Sequence, residues 1–177
     1  KVTVVVNPNA SLDSLKRDWT IYHELSHLYI PYDGYGPRWL SEGLASYYQN
    51  IVQYRAGLID KKSMWNNLVS GFDRGGKQTS LNNKTLAYVS DNLGENRHYM
   101  RVYWSGALYW LSMDVAIRKG SKGKQSLDSL LLELKACCQH KQYSGWQIVR
   151  KLDQLSQTNL FTQKFKTFAR SYHVPDY

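Results

Sequence analysis

The 177-residue sequence has few cysteines, no long apolar run and no block of like charge. Its two cysteines, Cys137 and Cys138, are neighbours, and Cα atoms about 3.8 Å apart are closer than the roughly 4.4 to 6.8 Å that disulfides usually span. We therefore expect no internal disulfide. The longest uncharged runs, such as residues 102–113, are too short to cross a bilayer. We accordingly expect no membrane span in this segment.

The chain carries a formal net charge of +9, but its lysines and arginines are scattered along the sequence. A nucleic-acid-binding domain usually concentrates such residues in one patch or stripe. The charge pattern therefore argues against a nucleic-acid partner, and it leaves open a general attraction to acidic partners or surfaces.

The apolar pattern predicts a mainly α-helical fold that begins with one β-strand. The β-branched run "VTVVV" at residues 2–6 is typical of a strand. Helical spacing then runs from residue 11 to Pro31, and a second helix opens near Pro37. We expect these two helices to pack against each other through four leucines, at positions 25, 28, 40 and 44. Further helices are predicted at residues 61–69, 98–120, 126–139, 144–157 and 160–172, with a loop at 70–83.

The stretch "WTIYHELSHLYIP", residues 19–31, carries the first chemical signal. His23 and His27 are four residues apart, so on a helix both rings can face one metal ion. Glu24 is rotated from them by about 100 degrees, which places its carboxylate beside the ion and not on it. Zinc hydrolases use this arrangement of two imidazoles and a carboxylate base. Because such a motif also arises by chance, two surface histidines are an alternative interpretation.

A third ligand is offered by Glu42 in "WLSEGLASYY", fourteen intervening residues after His27. Catalytic zinc usually takes three protein ligands and leaves a fourth position for water. Glu42 lies in an apolar helical context, where an unpaired carboxylate is costly to bury and a metal would satisfy it. The alternative is a glutamate near a helix start that faces solvent. The sequence predicts one Zn²⁺ ion held by His23, His27 and Glu42.

These two motifs together resemble the gluzincin zinc metallopeptidases of the peptidase MA clan, in which HExxH and a downstream glutamate bind zinc. Residues 103–134, "YWSGALYWLSMDVAIRKGSKGKQSLDSLLLEL", resemble a block of the M61 glycyl aminopeptidase family, which is related to M1. Residues 144–177 resemble the C-terminal helices of that family. The resemblance implies a thermolysin/M1-like helical domain with an N-terminal β-strand. Its catalytic core would be residues 1–120, and residues 121–177 would form a C-terminal helical subdomain that packs on it as one unit.

The resemblance also implies a role for each site residue. His23, His27 and Glu42 correspond to the zinc ligands, and Glu24 corresponds to the general base. Tyr103, three residues before the glycine of the matched block, corresponds to a transition-state donor, and a phenol can donate a hydrogen bond to the oxyanion of a tetrahedral intermediate. Because the chain has fourteen tyrosines, a structural role for Tyr103 stays open.

The sequence departs from the family pattern in several places. Ser105 stands where the family usually has lysine, and the interval between His27 and Glu42 is shorter than expected for M61. Ser46 occupies the position where thermolysin-like relatives have an aspartate that orients a histidine, so a different orienting partner is required. The M1-type motif that holds a substrate's free amine is absent from residues 1–22. The choice between aminopeptidase and endopeptidase activity therefore stays open.

We predict a zinc metallopeptidase, M61-like, that hydrolyses peptide bonds of a peptide or protein substrate with metal-activated water. The alternative is a catalytically inactive, peptidase-like domain that binds peptides or proteins. The intact histidine motif and Glu42 argue against that alternative. The resemblance favours a bacterial protein in the periplasm or outside the cell, with a cytoplasmic location open. Because the sequence begins with Lys1 and not Met, we also expect flanking domains.

Overall fold

The structure is a computed structural model that describes residues 5–34, 36–138 and 140–176. Its helices are Leu12–Arg17 (α1), Trp19–Ser26 (α2), Arg38–Arg55 (α3), Lys61–Gly76 (α4), Leu86–Asp91 (α5), Leu93–Asn96 (α6), Tyr99–Gly120 (α7), Leu127–Cys138 (α8), Gly145–Ser156 (α9) and Leu160–Ala169 (α10). One 3-10 turn, His27–Tyr29, follows α2. None of the helices in the described ranges is long and apolar enough to cross a membrane.

The prediction of a mainly α-helical fold is confirmed, but the predicted N-terminal β-strand is wrong. The described residues contain no strand, and their only β-type pairing is one isolated bridge between Tyr32 and Tyr143. Val5 and Val6 have no regular structure, and Val5 is 93% exposed. The rest of the predicted strand, residues 2–4, lies outside the described residues. β-Branched residues favour a strand only where a neighbouring strand can pair with them.

The helix predicted from residue 11 to Pro31 is divided at Asp18. The backbone of Asp18 is extended, with φ −69° and ψ 117°, so α1 ends there. Its side chain accepts a hydrogen bond from the backbone N–H of Thr20 at 2.8 Å and caps α2. Aspartate is among the best residues for this position because it satisfies an otherwise unpaired N–H. The cap starts a new helix that carries the histidines.

Helices α3 and α7 cross at the centre of the fold, and both bury residues along most of their length. A Cβ at Gly106 would lie 1.8 Å from the carbonyl oxygen of Trp39, and a Cβ at Gly43 would lie 2.2 Å from the carbonyl carbon of Gly106. Real Cβ atoms do not approach other atoms so closely, so the crossing requires glycine on both helices. Glu42 and Tyr103 lie within one helical turn of these glycines, and the crossing therefore fixes how close they are.

Helix α2 packs on α3, but not through the predicted set of leucines. Leu40 and Leu44 of α3 are fully buried, whereas Leu25 and Leu28 are 49% and 60% exposed. That part of the prediction is wrong. α2 instead turns His23 and Ser26 inward, so the contact with α3 is polar on one side.

The other helices surround the α3–α7 crossing. α4 packs on both central helices, α10 packs on α7 and α9, and α8 joins α7 and α9. α4 continues to Gly76, seven residues beyond its predicted end, because Gly71 and Gly75 lie against the ring of Trp104 and the start of α7. This tertiary contact keeps the glycine-rich segment helical, although its composition predicted a loop.

Cys137 and Cys138 form a disulfide bond at the end of α8, with Cα atoms 3.7 Å apart. The expectation that these neighbours would not pair is wrong, because the usual span applies to cysteines that are distant in sequence. The bond joins two consecutive residues only, so it does not link one helix to another.

Candidate metal centre

The three predicted ligands converge where α2 meets α3. Nε2 of His23 lies 3.2 Å from Oε2 of Glu42, and Nε2 of His27 lies 3.6 Å from the same oxygen. All three ligand atoms lie within 4.8 Å of one another. Two atoms bonded at about 2.0–2.1 Å to a tetrahedral zinc ion are about 3.3 Å apart. The two histidines and the carboxylate therefore fit one zinc ion.

The local structure preserves the spacing on which the motif depends. His23 lies in the last turn of α2, and His27 is the first residue of the 3-10 turn that follows. The backbone of His27 is still helical, with φ −59° and ψ −22°, so its ring stays on the same side as that of His23. Glu42 is the fifth residue of α3 and faces both rings.

The carboxylate of Glu42 and the two histidines shift one another's pKa values. Burial would raise the pKa of Glu42, but the hydrogen bond with His23 and the charges of both histidines hold that pKa below its usual value. Burial lowers the pKa of His23, yet the hydrogen bonds with Glu42 and Gln49 outweigh burial and raise it. Burial lowers the pKa of His27. Metal ligands must be deprotonated, so binding of a metal at Nε2 of His23 would release any proton held there.

Gln49 orients His23 and is a site residue that the sequence reasoning missed. Its Oε1 lies 2.8 Å from Nδ1 of His23. An acceptor at this position keeps the proton on Nδ1 and directs Nε2 towards a metal. Gln49 is seven residues after Glu42, two turns along α3, so both side chains lie on one face. Gln49 thus supplies the orienting partner that Ser46 does not.

Ser41 has the same relation to His27. Its Oγ lies 3.1 Å from Nδ1 of His27, which again leaves Nε2 to face the carboxylate of Glu42. Ser41 directly precedes Glu42, so one turn of α3 supplies both a ligand and the orienting partner of another ligand.

We expect Gln49→Ala to weaken zinc binding by about 10- to 100-fold, because the imidazole of His23 would lose the acceptor that sets its tautomer and orientation. A competition titration against a chromophoric chelator measures this change. Gln53→Ala is the matched control, since Gln53 lies one turn further along and its side-chain amide donates to the backbone oxygen of Gln49 at 3.0 Å and not to a histidine. Equal zinc affinities for the two variants would contradict the assigned role.

Glu24 lies beside the cluster and outside the set of converging ligand atoms. It follows His23 in α2, is partly exposed, and is close enough to act electrostatically on His23, His27 and Tyr103. That its carboxylate points beside a bound ion stays a prediction.

Tyr103 reaches the same site from α7. Its ring stacks on that of His23, with ring centroids 5.8 Å apart and planes 15° apart. Burial, the charge of Glu42 and a hydrogen bond to Glu42 raise the pKa of Tyr103 above its usual value, so the hydroxyl keeps its proton. Tyr99, one turn earlier in α7, touches the ring of Tyr103 and is 41% exposed. Of these two tyrosines, Tyr103 is the one that contacts the candidate ligands.

Residues 35–119 match the family model of the M61 glycyl aminopeptidase. The match supports an M61-like peptidase. It covers just under half of the 177 residues and contains Glu42 and Tyr103, whereas His23, Glu24 and His27 precede it. No curated protein and no solved structure gave a match to the chain. A hydrolase that acts on peptides is thus supported by a comparison independent of the histidine motif.

The serine at position 105 is explained by the helix crossing. Ser105 is fully buried next to Gly106, and its Oγ has no hydrogen-bond partner among the described residues. A lysine at this position would place a charge in the interior at a high cost in free energy. The close approach of α3 and α7 therefore disfavours the family's usual lysine.

Proposed function

We propose that the chain is a zinc-dependent, gluzincin-type peptidase in which His23, His27 and Glu42 hold one zinc ion. The observation that carries the proposal is the convergence of two imidazole nitrogens and one carboxylate oxygen within 4.8 Å of one another. The match to an M61 family model supports a peptide as the substrate. When bound, zinc acts as a Lewis acid that polarises a carbonyl group and lowers the pKa of water to about 7.

Glu24 and Tyr103 perform the remaining chemistry in this proposal. Glu24 accepts a proton from the attacking water and transfers it to the leaving amine, which requires a carboxylate beside the ligands and not among them. Tyr103 keeps its proton and donates a hydrogen bond to the oxyanion that develops on the scissile carbonyl. Gln49 and Ser41 hold the two histidines in position throughout.

The proposal includes release of N-terminal residues, because the matched family is a glycyl aminopeptidase. An aminopeptidase requires a free amine at the N-terminus of its substrate, whereas an endopeptidase does not. Comparing cleavage of free and N-acetylated forms of the same peptides separates the two modes.

Metal loading tests the proposal directly. The protein should bind one zinc ion per chain, measured by elemental analysis, and should hydrolyse peptides only in the zinc-loaded form. His23→Ala should lose both zinc and activity, since two ligands hold the ion much more weakly than three. The matched control is His173→Ala, which removes an exposed histidine near the C-terminus. Undiminished zinc binding by His23→Ala would refute the metal centre.

A further inference from the structure

A cavity of about 480 Å³ opens directly beside His23 and Tyr103. Residues from four parts of the fold line it: the junction of α1 and α2, the middle of α3, helix α4 and the start of α7. Away from the candidate ligands, apolar side chains such as Trp19, Met100 and Trp104 form much of its lining, and Arg17, Arg74, Asn50 and Gln53 add cationic and polar groups to it.

One wall of the cavity is a polar stripe on α3. Asn50 and Gln53 are only 2% and 5% exposed, yet both line the cavity. The side-chain amide nitrogens of Asn50 and Gln53 donate to the backbone oxygens of Ser46 and Gln49, each at 3.0 Å. Since backbone oxygens only accept hydrogen bonds, each side-chain amide must use its NH₂ group for this bond. The two side-chain oxygens remain as acceptors, which suits the N–H groups of a peptide.

The same cavity also carries positive charge. It comes from Arg17, the last residue of α1, and from Arg74 of α4. The guanidinium of Arg74 lies over the ring of Trp104, 5.2 Å from its centroid. Stacking of this kind leaves the N–H edge of the guanidinium free to bind a planar carboxylate through two hydrogen bonds. Within the described ranges, neither arginine forms an ion pair with a carboxylate of the chain.

We propose that this cavity is a substrate subsite in which Arg17 and Arg74 bind a carboxylate of the peptide, from either an acidic side chain or the C-terminus. The inference rests on the proposed peptidase function and adds a preference for anionic substrates. The amide oxygens of Asn50 and Gln53 hold the peptide backbone, and the candidate metal centre lies at one end of the cavity. A peptide bound this way has its carboxylate a short distance from the bond to be cleaved.

Peptide binding to zinc-loaded Glu24→Gln protein tests the subsite without hydrolysis. The probes are four versions of one short peptide, with glutamate or glutamine in the interior and a free or amidated C-terminus, titrated by calorimetry. We expect a carboxylate-bearing version to bind about 10- to 100-fold more tightly than the fully neutral one, as is typical of charge-assisted hydrogen bonds. The two single-carboxylate peptides show whether the side chain or the C-terminus supplies the group.

Arg17→Gln and Arg74→Gln, each made in the Glu24→Gln background, should remove most of this difference. Arg150→Gln is the matched control, because Arg150 is an exposed arginine of α9 that does not line the cavity. Circular dichroism of each variant confirms that it is folded. The proposal is overturned if carboxylate-bearing and neutral peptides bind equally, or if the preference persists in both arginine variants.

The result also separates this inference from the peptidase proposal. Arginine-dependent binding of carboxylate peptides by a wild-type protein that cleaves nothing would support the subsite and refute the peptidase. Cleavage of acidic and neutral peptides with equal kcat/KM, together with equal binding, would support the peptidase and refute the subsite.

Discussion

Replacing Glu24 with glutamine is expected to abolish nearly all peptide hydrolysis while zinc stays bound. Glutamine has the shape of glutamate, but its amide cannot accept a proton from water. Loss of a general base typically lowers the rate by about 10²- to 10⁴-fold. Glu24 lies outside the cluster of ligand atoms, so zinc content should not change. The measurement is kcat/KM on a peptide panel, with zinc determined in the same samples.

Glu133→Gln provides the control for this experiment, since Glu133 is an exposed glutamate of α8. That variant should retain full activity and zinc. One outcome would show that the chain binds peptides without cleaving them. If the wild type with one zinc per chain cleaves no peptide, and wild type and Glu24→Gln bind peptides with equal affinity, the chain is an inactive peptidase-like binding domain.

The candidate ligands could be predicted from sequence because their arrangement depends on little beyond helix geometry. His23 and His27 face the same way on any helix, and even the change to a 3-10 turn at His27 keeps that relation. Glu42 required an additional chemical argument, namely that a carboxylate in an apolar context needs a partner. The structure supplies that partner in His23, 3.2 Å away.

The residues that the sequence reasoning missed depend on tertiary contacts. Gln49 meets His23 only because α2 lies across the middle of α3, and the sequence alone does not specify that crossing. The same limit applies to Leu25 and Leu28, whose helical spacing fits a buried face although the polar face of α2 is the one turned inward. Apolar periodicity identifies a helix, and its neighbours decide which face is buried.

The cavity, too, depends on tertiary contacts that the sequence pattern does not specify. Its polar wall comes from a buried stripe on α3 that apolar periodicity does not reveal, since Asn50 and Gln53 are surrounded in sequence by residues typical of a core. The arginines come from two other helices, and only the folded chain brings them to one cavity. Charge counted along the sequence showed only that the basic residues are scattered.

Replacing Gly106 with alanine is expected to destabilise the fold more than the same replacement at any other glycine of the described residues. The new Cβ would lie 1.8 Å from the carbonyl oxygen of Trp39 and 2.7 Å from the Cα of Gly43. Both are backbone atoms, so no side-chain rotation relieves the contact, and α3 must move away from α7. Overpacking a core costs about 1–3 kcal/mol where side chains can adjust, so we expect at least about 3 kcal/mol here. For a chain of this length each kcal/mol lowers Tm by about 2–4 °C, which gives a fall near 10 °C.

The same displacement should also move Tyr103 away from Glu42, because the crossing positions these two residues next to each other. Gly120→Ala is the matched control: it lies at the end of the same helix, and a Cβ there meets nothing within 4 Å. Alanine is the better helix former, so this control should change stability by no more than about 1 kcal/mol. Equal Tm values for the two variants would show that the α3–α7 crossing is not the close backbone contact from which the site is built.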